Sequence, residues 1–366
     1  MNLGNPDLIR CIRAEIEKQG PISFARFMHQ ALYHPEHGYY SSGRCAIGRK
    51  GDYFTNVSVG SLFGEFLAAQ FAEMWERLGS LKDFTIIEQG AHDGQFARDV
   101  LESVQKRAPE FFAALRYRIV EPYPVLQDRQ SRTLEQFGDK VEWRDSLQSF
   151  VGVHFSNELL DAMPVRLISG NREKLVDLKD DKFVFVECPI SQQPTLQLPA
   201  QRDAFNQAAL DWIDDVTAKL QRGYVVAIDY GRLEDEFQGN VQVRAQHRNL
   251  DSPFEQIGHA DITMAVEWST IIERVQANGL RVTGLTDQHH FLTGIISTWP
   301  DLLQARSGNS TVSSTRVQLA AAHRKTKRSL QTLLHPEMLG RAFQVIVLEK
   351  NLERKAPRLA GFKFAH

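Results

Sequence analysis

Residues 84–94 read FTIIEQGAHDG, and this stretch decides the fold. It opens on a β-rich apolar run, Thr85-Ile86-Ile87, continues into an acid, Glu88, and then sets Gly90 and Gly94 around a short polar turn. Phe96, Val100, Leu101 and Val104 follow at three- and four-residue steps, the period of one helix face. Strand, glycine turn and helix in this order form the entry to a nucleotide-type ligand site in a doubly wound sheet. Glycine lets backbone approach a ligand where a Cβ would intrude, and the unpaired N–H groups of the new helix complete a polar rim.

Working outward, Tyr117-Arg-Ile-Val120 is a second short strand, and it ends in Glu121. A carboxylate at that tip can accept hydrogen bonds from both hydroxyls of a ribose. The separation from Gly90 exceeds the usual spacing of about 20 residues, so extra chain is expected between them. Neither G-x-G-x-x-G nor G-x-x-x-x-G-K-[ST] is present. The turn is acidic, with Glu88 and Asp93, and has no lysine for phosphates. A ligand with a positive end and no phosphate fits it, and S-adenosylmethionine (SAM) is such a molecule. Trp143-Arg-Asp145-Ser closes a third strand. Asp145 there would lie near an adenine, and it suits a loop-capping role as well.

The chain has 366 residues, 42% hydrophobic and 24% charged, with a formal net charge of −2. Such a chain has ordinary globular composition and offers no basic field for a nucleic-acid backbone. Cys11, Cys45 and Cys188 are odd in number and far apart, which argues against a cysteine-based zinc site. No apolar run approaches the ~18 residues of a membrane span. The first twenty residues lack the apolar region of a secretory signal. The expectation is a cytoplasmic protein without a membrane segment.

In chain order, residues 7–19 and a segment capped by Ser23 read as helices, and 61–78 as a third closed by Gly79. Strands are expected at 84–88, 117–121, 140–143, 152–156, 223–231 and 280–286, with Phe343–Leu348 as a final edge strand, seven in all. The alternation predicts an α/β, Rossmann-like sheet with helices on both faces. Residues 1–80 read as an N-terminal helical and lid segment, and 81–366 as the Rossmann-like domain. That domain carries insertions at about 165–203 and 232–262 and a helical one at about 292–340. Residues 165–188 alternate as strands, 189–203 form a linker, 232–262 are polar and irregular, 261–263 cap a helix, and 314–334 form one long helix.

These residues resemble the MidA-like SAM-dependent methyltransferases, a family that includes a mitochondrial complex I assembly methyltransferase acting on arginine. The resemblance runs through Gly20-Pro-Ile-Ser-Phe24, His34-Pro-Glu-His-Gly-Tyr-Tyr40, Gly51-Asp-Tyr-Phe-Thr55 and Phe63-Gly-Glu65. It continues through Glu88–Gly94, Val120-Glu-Pro122, Asn157-Glu158 with Asp161 and Pro164, Asp229-Tyr-Gly231 and Asp261-Ile-Thr263. It implies a seven-stranded methyltransferase sheet with an added smaller region. It places Glu88, Gly90 and Gly94 at the methionine end of SAM, Glu121 at the ribose, and Gly51–Thr55 in a lid. His92 stands where the family's turn usually has a middle glycine.

Methyl transfer needs alignment, close approach and exclusion of water. A guanidinium acceptor also needs its planar fork held, which carboxylates do through charge-assisted bonds. Glu158 and Asp161, three residues apart after the fourth strand, are the candidates, one to orient the acceptor and one to take the released proton. Asn157 would hold either partner or contact the acceptor nitrogen. Asn157 as a helix cap, with Glu158 in the first turn, is the alternative. The expected activity is methylation of an arginine in a protein partner. A small-molecule or other amine acceptor, or a non-catalytic assembly factor on this fold, are alternatives, and nucleic acid ranks low. His34 and His37 lack a third ligand, and His289-His290 would face opposite ways in a strand, so no metal is expected. Tyr39, Tyr40, Tyr53 and Phe54 would pack at the cofactor or anchor their loop. Arg324–Arg328 reads as a solvated helix face.

Overall fold

A computed structural model describes residues 4–45, 55–190, 204–233, 237, 239–304, 316–353 and 357–365. The lid expectation at Gly51–Thr55 and the 189–203 linker therefore lie almost wholly outside the described residues. The chain forms two compact units. One is built from residues 1–54, 159–213 and 232–271, the other from residues 55–158, 214–231 and 272–366.

The first unit opens with the helices Pro6–Gln19 and Phe24–Tyr33. The Ser23 side chain accepts from the Arg26 N–H at 3.1 Å and starts the second of them. Leu8, Ile12, Phe24, Phe27 and Met28 from these helices share a core with Val165, Val176 and Ile262. The segment read as alternating strands forms the antiparallel ladder Arg166–Ser169, Arg172–Lys179 and Lys182–Pro189. Residues read as irregular form a second small sheet of Val241–Ala245, Arg248–Asn249 and Asp261–Met264. Asp261 is thus a strand residue and not a helix cap. The capping carboxylate is Glu267, which accepts from Ser269 N at 2.8 Å and Thr270 N at 3.0 Å. Both misreadings have one cause: short polar strands pair through backbone, and backbone pairing leaves little side-chain pattern.

The second unit holds the large sheet. Its strands are β1 Phe84–Gln89, β2 Leu115–Val120, β3 Val141–Arg144, β4 Phe150–Asn157, β5 Leu220–Arg232, β6 Arg281–Asp287 and β7 Phe343–Lys350. Among the described residues of this unit they lie in the order β6-β7-β5-β4-β1-β2-β3. Strands β1 to β5 pair in parallel, whereas β7 is antiparallel to both its neighbours. The last strand is therefore internal and not at the edge. Its run Val345–Leu348 is buried throughout, which is the pattern of a strand covered on both faces.

Helices α1 Leu62–Arg77 and α2 Gln95–Arg107 bring Phe71 and Phe96 onto Phe155 of β4. The Phe96 and Phe155 rings stack at 4.2 Å. Helix α3, Pro124–Thr133, follows β2. The long helix expected at 314–334 is described from Arg316 to Leu334.

Candidate active site

Parallel register carries the carboxyl ends of the central strands to one level. Gln89 of β1 lies opposite Val120 of β2 and Ser156 of β4, and Asn157 lies opposite Ile228 of β5. Backbone pairing runs one residue further on each side. Glu121 N donates to Arg144 O and Glu158 N to Ile228 O, both at 2.9 Å. The acids that follow β2 and β4 are thereby held at the sheet's rim, where ligands bind in this class of fold.

The glycine turn is shaped as the spacing required. Gly90 and Gly94 have φ of 82° and 80°, and Gly94 leads directly into α2. His92 sits in the same left-handed region at φ 47°, a conformation that favours glycine. Its Nδ1 lies 3.7 Å from the Asp93 carboxylate. Burial alone would raise the Asp93 carboxyl. His92 beside it and the Gln95 N–H outweigh burial and hold it below the usual carboxylate range.

Glu121 is the centre of a network that local sequence does not reveal. Its carboxylate accepts from Tyr123 N and from Gln130 Nε2, each at 3.1 Å. Gln130 is fully buried. It also donates to His92 O at 3.1 Å and accepts from Trp143 Nε1 at 2.9 Å. One amide on α3 thus ties the glycine turn, the β2 tip and β3 together. Gln127, one turn earlier, donates to Glu121 O at 2.6 Å and reaches the exposed Asp145 carboxylate at 3.4 Å. Burial raises the Glu121 carboxyl, opposed by the Tyr123 N–H and Gln130.

Glu88 is 3% exposed and accepts from the Tyr117 hydroxyl at 2.6 Å. Burial pushes its carboxyl up to about 8; the Tyr117 bond opposes this and the Asp93 charge adds to it. Unfolded, Glu88 releases its proton near 4.5, while folded it keeps it to about 8. Between those values the folded state carries the extra proton, so its stability falls as pH rises, by up to about 1.4 kcal/mol per pH unit. Glu88→Gln removes the ionisation. Urea denaturation should therefore show the variant gaining on the wild type from pH 5 to pH 8, and a constant difference would refute the assignment.

After β4 the chain turns without forming a helix, so Asn157 is the strand's last residue and not a helix cap. Asn157 and Glu158 meet a residue from far upstream. Asn56 N donates to Glu158 Oε1 at 3.1 Å, and Asn56 Nδ2 donates to Asn157 Oδ1 at 3.0 Å. Asn157 Nδ2 in turn donates to Glu158 Oε1 at 2.9 Å. Glu158 has φ 54°, a strained value of the kind that clusters at functional positions. Asp161 belongs to the first unit, is buried, and its carbonyl accepts from Met264 N at 2.8 Å.

The other residues singled out are accounted for locally. Tyr40 donates to Asp261 at 2.6 Å, and Tyr39 is buried. The His34 and His37 rings stack at 5.1 Å. His289 pairs with Leu334 O and His290 with Asp287. Among the described residues no cluster of three or more His, Cys, Asp or Glu is arranged to hold a metal, and no helix is long and apolar enough to cross a membrane.

The residues at the rim suit SAM. The turn 88–94 carries one carboxylate held in its charged form, Asp93, beside the buried acid Glu88, and no lysine or arginine; Glu121 accepts from two donors. That donor set accepts hydroxyls and positive charge and does not cradle phosphate.

Comparison with known proteins agrees with this chemistry. Residues 66–286, more than half of the chain, match the family described as "Putative S-adenosyl-L-methionine-dependent methyltransferase". The chain is 28% identical to a Burkholderia thailandensis protein whose crystal structure was determined bound to S-adenosyl-homocysteine. The TM-score is 0.84, with 98% of this chain and 97% of that one covered. A Drosophila melanogaster protein named mitochondrial protein arginine methyltransferase NDUFAF7 homolog is 26% identical over 79% of this chain and 75% of its own. Human mitochondrial protein arginine methyltransferase NDUFAF7 is 25% identical over 93% of this chain and 83% of its own. The cytoplasmic expectation is corrected by these relatives, which are named as mitochondrial proteins; composition carries no address of that kind.

Proposed function

The chain belongs to this family of SAM-dependent methyltransferases, and from that premise we propose that it methylates an arginine side chain of a protein partner. The observation that carries the reading is the rigidly held acid at the end of β4. Glu158 Oε1 takes hydrogen bonds from Asn56 N and Asn157 Nδ2, so the carboxylate has a set direction as well as a charge. A carboxylate so held suits a guanidinium, whose planar donors demand both. The names of the Drosophila and human relatives support the same acceptor.

SAM supplies a methyl group on a positively charged sulfur. Around it we assign Glu88, Gly90 and Gly94 to the methionine end, Glu121 to the ribose hydroxyls and Asp145 to the adenine side. Glu158 orients the acceptor nitrogen and takes up the proton that the nitrogen loses as it gains the methyl group. Asn157 holds Glu158, and Asp161 is proposed as the second carboxylate on the grounds of sequence alone.

Two measurements test this. Calorimetric titration with S-adenosyl-homocysteine should give binding that weakens at least tenfold in Glu121→Ala, since two charge-assisted bonds are lost, each worth about 1.5–3 kcal/mol. Undiminished affinity would remove the ribose assignment. Incubation with methyl-labelled SAM and cell extract, followed by acid hydrolysis, should place the label in methylarginine. Label in any other amino acid, or in none, would overturn the proposed acceptor.

A further inference from the structure

We propose that Asn56 is a positioning residue for methyl transfer, acting through Asn157 and Glu158; this rests on the role proposed above for Glu158. Three hydrogen bonds define it: Asn56 N to Glu158 Oε1 at 3.1 Å, Asn56 Nδ2 to Asn157 Oδ1 at 3.0 Å, and Asn157 Nδ2 to Glu158 Oε1 at 2.9 Å. An ionised carboxylate can only accept. Asn157 must therefore turn its NH2 group toward Glu158, which leaves its oxygen facing Asn56. Asn56 must answer with its own NH2 group. The charge on Glu158 thus fixes two amides in series, and the second of them comes from a segment 102 positions away.

This arrangement has a visible cost. With its NH2 group committed to Asn157, Asn56 is left with Oδ1 buried and without a hydrogen-bond partner among the described residues. Asn56 itself is fully buried. Unpaired buried acceptors are rare in folded proteins because water is lost and nothing replaces it. A side chain present only to fill space would not need a polar amide there. One present to hold Asn157 and Glu158 in line does.

The backbone that carries Asn56 is itself pinned. Thr55 N donates to Ser58 Oγ at 3.0 Å, Ser58 N to Thr55 Oγ1 at 3.1 Å, and Ser58 Oγ to Thr55 O at 2.8 Å. These reciprocal bonds close the turn on both sides of Asn56. Its N–H and its side chain consequently reach the β4 tip from one fixed point, which is what alignment of a nucleophile requires.

The test compares wild type, Asn56→Asp and Asn56→Ala. Aspartate keeps the size of the side chain and removes the donor to Asn157; alanine guards against loss of folding from the added charge. Label transfer from methyl-labelled SAM to protein is followed at increasing extract concentration. In both variants the plateau rate should fall at least tenfold. The half-saturating extract concentration and the affinity for S-adenosyl-homocysteine should stay within twofold, and the melting temperature of Asn56→Ala within about 2 °C. A residue that merely supports the fold would move the last two and spare the rate per folded molecule. A wild-type plateau rate in either folded variant overturns the proposal. Amino-acid analysis of the product separates the two ideas: label outside arginine overturns the acceptor reading, while the plateau rates still decide Asn56.

Discussion

Glu158→Gln is expected to lower methyl transfer to protein by about 10²–10⁴-fold while leaving the fold and cofactor affinity unchanged. The substitution is nearly isosteric. A glutamine carbonyl can still accept from Asn56 N and Asn157 Nδ2, the two donors that now reach Glu158 Oε1. The backbone bond from Glu158 N to Ile228 O is untouched. What disappears is the negative charge, and with it both the pull on a guanidinium and the capacity to take a proton. The rate is read from labelled SAM in extract and the fold from the melting temperature. A variant that retains more than a tenth of wild-type transfer would show that Glu158 neither orients nor deprotonates the acceptor.

Gly152→Ala is expected to be strongly damaging to the large sheet, costing at least about 3 kcal/mol. Gly152 of β4 has φ 143°, and a Cβ built on it would lie 2.0 Å from Thr85 O of β1. Its neighbour on the other side repeats the problem: a Cβ on Gly223 of β5 would lie 1.9 Å from Gly152 O. Gly152 is in register with both Thr85 and Gly223, so the obstruction is ladder backbone and cannot be relieved by a rotamer change. Against a typical total stability of about 5–15 kcal/mol, such a loss removes much of the margin. Gly170→Ala provides the contrast. It also has positive φ, at 60°, but its Cβ would meet nothing within 4 Å, so its cost should be about 1 kcal/mol. Urea denaturation of both variants checks the difference, and equal costs would mean that conformational preference, and not the close strand approach, dominates at Gly152.

Glu121, Glu158 and the strands before them were legible because the information is local. Glu121 directly follows Ile119-Val120, and Glu158 follows the strand-like run 152–156 with one residue between, so each acid falls near a strand's carboxyl end. The same holds for Gly90 and Gly94, whose positive φ follows from a turn too tight for other residues. Gln127 and Gln130 carry no motif or periodic signal in the sequence. Only the packing of α3 against the β2 tip makes one of them fully buried and bonded to Glu121. Tyr117 read as a strand residue; the structure buries it and sets its hydroxyl on Glu88. The late strand β7 was recognisable by its apolar run, but its position between β5 and β6 depends on which neighbours it finds.

By itself, then, the order of residues determined the strand succession, the acids at the sheet's rim, the absence of a phosphate-binding loop and so the class of cofactor. All of these follow from short-range periodicity and from the chemistry of side chains next to a strand end. Tertiary structure alone decided that Asn56 meets Asn157 and Glu158, that Gln130 joins three separate segments, and that three stretches of chain assemble into each unit. Hydrogen bonds between distant residues leave no periodic trace, because Asn56 and Gln130 are by themselves ordinary polar residues until the fold brings them to within about 3 Å of Asn157 and Glu121.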